Sequence, residues 1–270
     1  MKSCINGATT MPYSLEEDIT YASEAGFEGI EIWYSKLKKY LENHSARDLK
    51  KLLESKKLKP AAICPLFLKT FLDGREDGRA DMKKAAEVAK EIGCGVLLVC
   101  SDSPPKDMDG EEAYKKAAQE AGLCADMVKG YGVRLAIEPL GMHPFVPGPK
   151  EALRIVKESG RANIGIMMDT FHYYKSSVSM SEIKSLPIDK LLIVHVNGCE
   201  DLPKDKLKDS NRLYPGLGVI PAAEMLSAIK KNGYSGFLSV EVFREEYWKR
   251  APKEISGESK EYLDRLMAAI

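Results

Sequence analysis

Four apolar runs in the second half of the chain each end in a residue that can bind a metal: LAIEP at Glu138, IGIMMD at Asp169, LLIVH at His195 and FLSVE at Glu241. Carboxylates are hard oxygen ligands and an imidazole is a borderline nitrogen ligand. Together they suit one Zn²⁺, Mn²⁺, Co²⁺ or Mg²⁺ ion and leave positions open for substrate oxygens. A single acid at a strand end is as readily a helix cap or the partner of a lysine. Four such residues on consecutive strands argue for one site, because a shared cation offsets the desolvation of all three acids at once. His172, three residues after Asp169 in MMDTFHYY, can turn its ring toward the same place. Arg212 in NRLYPGLG can reach over it to hold a substrate oxygen or orient a carboxylate.

For those residues to converge, the runs that carry them must be parallel strands ending at one edge. Runs rich in apolar and β-branched residues recur at Cys4 to Asn6, Gly29 to Trp33, Pro60 to Ile63 and Gly95 to Cys100, followed by the four named above. Continuous apolarity suits strands covered on both faces, and segments of helical spacing separate them. Ser14 with Glu17, Ser45 with Asp48 and Ser179 with Glu182 read as capping boxes, and Gly26, Gly93, Gly132 and Gly233 read as helix stops. The expectation is a single (β/α)8 barrel over residues 1–270, with the metal site at the C-terminal ends of strands 5 to 8. The longest gap follows His195, and its insert, Gly198 to Gly218, reads as a loop over the barrel mouth.

Length and charge fit this scheme. The 270 residues match the roughly 250 that one such barrel needs. Lysine plus arginine and aspartate plus glutamate both total 40, so nothing favours a nucleic-acid partner. No long apolar stretch predicts a membrane span, and Met1 runs straight into KSCIN, so a cytoplasmic protein is expected. The six cysteines form no C-x-x-C pair and read as small core residues. His143 and His44 read as loop or surface histidines. Trp33 and Tyr34 read as an apolar wall for a sugar ring or as filling for the barrel top. No phosphate-cradling loop is visible, which favours an unphosphorylated substrate.

The order Glu, Asp-x-x-His, His, Glu resembles the single-metal pattern of the xylose-isomerase-like TIM barrels. INGATT, IEPLG, MDTFH, NRLYPGLG and SVEVFREEYWK narrow that resemblance to the inosose isomerases and extend it over nearly the whole chain. The resemblance implies Glu138, Asp169, His195 and Glu241 as metal ligands, with His172 and Arg212 in contact with substrate and Asn6 lining the pocket floor. Arg244 and Glu245 lie in a similar segment that closes the barrel top. Two branches fit less well. ICPLF and LVCSD lack the additional histidines of the apurinic endonucleases, and Pro144 stands where ketohexose 3-epimerases usually carry a further glutamate.

The activity so implied is isomerisation of a sugar or cyclitol ketone, 2-keto-myo-inositol above all, by proton transfer through a metal-stabilised enediolate. Glu138 and Glu241 would be the base and acid. A ketose 3-epimerase, an inosose or 3-keto-sugar dehydratase and a non-catalytic polyol-binding barrel are the competing readings. The resemblance is compatible with a homo-oligomer, though no apolar stripe in the sequence marks its surface.

Overall fold

In the computed structural model, which describes residues 1–270, each apolar run becomes a strand because both of its faces are buried. These are β1 (Lys2–Asn6), β2 (Gly29–Trp33), β3 (Lys59–Leu68), β4 (Val96–Ser101), β5 (Arg134–Glu138), β6 (Ile164–Asp169), β7 (Leu191–Val196) and β8 (Phe237–Val240). Neighbours in sequence are neighbours in the sheet, all pairs are parallel, and β1 closes the barrel against β8. This is the expected (β/α)8 barrel. The strands differ from expectation in detail. β3 continues from Ile63 to Leu68, with Pro65 seated in a register shift where its missing N–H costs no ladder bond. His195 is followed by one more strand residue, and Glu241 lies just past the end of its strand.

The period of two within each strand decides what faces inward. Ala136, Met167 and Ile193 pack inside the barrel with Cys4, Cys64 and Cys100. Their sequence neighbours Ile137, Met168 and Val194 join the larger core under the helices. The next inward positions are Glu138, Asp169 and His195, and Glu241 stands two beyond the buried Ser239. Pairing of Cys100 with Glu138, Asp169 with His195 and His195 with Ser239 brings these strand ends to one level. All six cysteines are free and buried.

The helices start where their caps predict. Ser14, Ser45 and Ser179 each form both bonds of a capping box, contributing about 1 kcal/mol apiece. Gly26, Gly93, Gly132 and Gly233 all adopt the left-handed conformation of the expected stops. No helix is long and apolar enough to cross a membrane.

The insert after β7 folds back on itself. Gly198–Cys199 pairs antiparallel with Arg212–Leu213, and Cys199 also bridges to Gly218. Tyr214 stacks on Tyr247 and Tyr262, with ring centroids 4.2 and 5.4 Å away, and its hydroxyl accepts a 2.8 Å bond from Arg250. Arg244 pairs with Glu200 at 2.8 Å. The FREEYW segment thus fastens the insert against the C-terminal helix Pro252–Ala268.

Gly218 is needed twice over, since its φ is +73° and a Cβ there would run into the Cys199 carbonyl. Gly218→Ala is expected to cost more than about 2 kcal/mol, read as a lowered thermal midpoint. An unchanged midpoint would show that the insert does not depend on this close approach.

Candidate metal centre

One ligand atom from each of Glu138, Asp169, His195 and Glu241 lies within 4.8 Å of all the others, and all four residues are buried. His195 Nδ1 faces the acids, 3.1 Å from Glu241 Oε2, 3.7 Å from Asp169 Oδ2 and 3.8 Å from Glu138 Oε1. It is buried and has no hydrogen-bond partner. On the other side of the ring, Nε2 lies 2.8 Å from Glu31 Oε2, which also accepts a 2.7 Å bond from the Ser239 hydroxyl. A carboxylate at Nε2 keeps a proton there and leaves Nδ1 as the ligating atom. An orphaned imidazole nitrogen facing three carboxylate oxygens fits one divalent cation.

Each acid is held by one oxygen and presents the other. Glu138 Oε2 accepts a 3.4 Å bond from the Cys100 thiol. Asp169 Oδ1 caps the next helix through the amides of Phe171 and His172 at 2.7 and 3.3 Å, while Oδ2 turns to the cluster. Cap and candidate ligand are thus two oxygens of one side chain. Glu241 Oε1 accepts a 3.1 Å bond from Asn6 Nδ2, which places Asn6 behind this ligand.

Arg212 is almost fully buried, at 1% exposure. Its Nη1 donates to Asp169 Oδ2 at 2.6 Å and to Glu241 Oε2 at 3.2 Å, and its Nε donates to Asp209 at 2.9 Å. Nη2 lies 3.1 Å from His172 Nε2. Burial pushes the His172 pKa down to about 4, so the ring is neutral and Nε2 accepts from the guanidinium. The sequence reading brought all seven of these residues to one end of the barrel. It passed over Glu31, whose signal was a lone charge inside the apolar strand GIEIW. His143 is the expected loop histidine, accepting at Nδ1 from the amides of Phe145 and Val146. His44 stacks on Tyr40.

The electrostatics follow from burial and crowding. Burial pushes the Glu138 carboxyl up to about 8, with Glu241 and Asp169 adding repulsion against the pull of His195 and Arg212. Burial would likewise raise Asp169, but the Arg212 guanidinium outweighs it and holds that acid well below the carboxylate range. Burial disfavours a cationic His195, yet Glu241 and Glu31 raise its pKa well above the ordinary imidazole value. Beside the cluster lies a cavity of about 280 Å³ with Trp33, Phe67, Phe171 and Phe243 among its walls.

Fold and site together define a metal-site α/β-barrel enzyme, with chemistry at the C-terminal edge of its strands. The chain belongs to the xylose isomerase-like TIM barrel family, whose profile matches residues 19–266. An inosose isomerase of Halalkalibacterium halodurans is 32% identical over 97% of this chain and 94% of that protein. The crystal structure of an IolI protein with a bound zinc atom superposes with a TM-score of 0.90 at 30% identity, covering 99% of this chain and 98% of that one. A 3-dehydroshikimate dehydratase of Pseudomonas aeruginosa is 29% identical over 87% of this chain, which matches 37% of that longer protein.

Two outcomes follow. Glu31→Gln should weaken zinc affinity by about 10- to 100-fold, measured by chelator competition, because the ligating tautomer loses its anchor; unchanged affinity would remove Glu31 from the metal's support. Without a cation, Glu138 and His195 both hold protons at neutral pH, and metal binding must expel them. Affinity should therefore rise with pH toward about 8, and calorimetry in buffers of different ionisation enthalpy should find more protons released per ion below that pH than above it.

Proposed function

We propose that this chain is a divalent-metal-dependent isomerase of a polyol ketone, with 2-keto-myo-inositol the substrate to test first and zinc the ion to load first. The observation that carries the proposal is the placement of Glu138 and Glu241. They come from β5 and the end of β8, with Asp169 on β6 and His195 on β7 between them, so two carboxylates flank one cluster beside an apolar-walled cavity. Glu138, Asp169, His195 and Glu241 would hold the cation. When bound, a divalent ion supplies Lewis acidity to adjacent carbonyl and hydroxyl oxygens.

The chain's own groups then handle the proton. Glu138, freed of its proton once a cation is bound, stands at the cluster beside the cavity, where it can take a carbon-bound proton. Glu241, oriented by Asn6 and Arg212, stands across the cluster to return one to the neighbouring carbon. His172, which lines the cavity with Nε2 3.8 Å from Glu138 Oε1, is the group placed to contact a substrate hydroxyl. Arg212 keeps two of the acids and the His172 ring in place. The aromatic walls exclude water from the charge that develops.

The inosose isomerase relative supports isomerisation, and the dehydratase relative supports a second reading in which the same proton abstraction ends in loss of a β-hydroxyl. Proton NMR of zinc-loaded protein with 2-keto-myo-inositol in D₂O separates them. Deuterium beside the ketone with a new ketone isomer and no loss of mass supports isomerisation, whereas exchange followed by loss of water moves the assignment to a dehydratase. Exchange only with ketohexoses would mark an epimerase. Glu241→Gln should abolish turnover, and a near-normal rate with zinc still bound would overturn the acid/base assignment.

A further inference from the structure

Two cationic side chains line the cavity beside the cluster, Arg212 and Lys175. Arg212 is fully engaged by Asp169, Glu241, Asp209 and His172. Lys175 is not: its side chain makes no hydrogen bond, and no carboxylate lies within 4.0 Å of its ammonium, although Glu138, Asp209 and Glu241 line the same cavity. The buried Lys36 is the opposite case, since it donates to both oxygens of Asp18 at 2.9 and 2.7 Å and to two backbone carbonyls.

Lys175 is also held in place. It ends the short helix Thr170–Lys175, three residues after His172, so both lie on one face, with Lys175 about 4.5 Å further along the axis. Its stem lies over Gly141 in the loop after β5, where an added Cβ would come within 2.9 Å of both Lys175 Cβ and Cδ. A larger residue at 141 would push the stem aside. The chain therefore keeps a half-buried lysine at the wall of the cavity beside the cluster, without a counter-ion of its own.

We infer that Lys175 selects polyol ketones bearing an anionic group, a carboxylate or a phosphate, at the end remote from the cluster; this rests on the proposed reading of the site. A hydroxyl offers an ammonium little more than water does. An anion forms a charge-assisted bond that strengthens where solvent is scarce. The nearby acids do not fill this role, because Asp209 is taken by Arg212 and the ligand acids are held by their own partners. A neutral cyclitol ketone would still bind through the cluster, but with a higher KM.

Three ketoses on one carbon frame test this: D-fructose, D-fructuronate and D-fructose 6-phosphate, with 2-keto-myo-inositol in parallel. Each is titrated calorimetrically and followed for deuterium exchange on zinc-loaded wild type, Lys175→Met and Lys175→Arg. Methionine keeps the stem over Gly141 and removes only the charge. Wild type should favour one anionic ketose over D-fructose by about tenfold or more in Kd and KM. The ratio should fall toward one in Lys175→Met and return in Lys175→Arg, and which anion is preferred identifies carboxylate or phosphate. Equal affinities for the three, or a preference that survives Lys175→Met, would overturn the inference while exchange of the inositol ketone leaves the functional reading intact. An anion preference lost in Lys175→Met without exchange of any ketone would sink the functional reading and keep the inference; no binding of any ketone would sink both.

Discussion

Placing three carboxylates within 4.8 Å of one another at the end of an apolar barrel is the constraint that shapes the rest of this molecule. Each buried charge costs several kcal/mol in lost hydration, and mutual repulsion adds to that cost. The structure offsets it in layers. One oxygen of each acid is bonded by a thiol, backbone amides or a side-chain amide. A guanidinium bridges two of the acids, and the imidazole faces all three. What remains is a set of oxygens and one nitrogen whose charge a divalent cation would balance, a balance that the protons of Glu138 and His195 supply in its absence.

That arrangement depends on chain far from the strands. Arg212 reaches the cluster only because the insert folds into an antiparallel pair and is clamped by Tyr214 between Tyr247 and Tyr262. Burial keeps His172 neutral, and the same guanidinium orients it by donating to its Nε2. A loop, two C-terminal helices and a stacked aromatic set thus control the charge at the mouth. Surface ion pairs elsewhere, such as Lys260 with Asp264, contribute little by comparison.

The barrel interior shows the complementary economy of space. Most of its inward positions below the cluster are small or unbranched, with Cys4, Ala62, Ala136, Cys100 and Met167 beside the branched Leu98 and Ile193. Narrow fillings let the strands close while the long glutamates above them converge. The cysteines serve as small apolar residues, and two of them, Cys64 and Cys100, also meet Asn6 and Glu138 at the edge of the site. Packing and chemistry share the same side chains one layer apart.

The sequence by itself determined the barrel and the four residues at its strand ends. Apolar runs, capping boxes and turn glycines are local signals, and a period of two fixes which residue faces inward. It could not show that Glu31 holds His195, since that bond joins residues 164 positions apart. Nor could it show that Asn6 stands behind Glu241, that Asp169 is cap and candidate ligand at once, or that Lys175 lacks a counter-ion. Those facts depend on closing β1 against β8 and folding the insert over the mouth, and tertiary structure alone decided them because charge pairing acts through space, between groups whose separation along the chain carries no periodic signal.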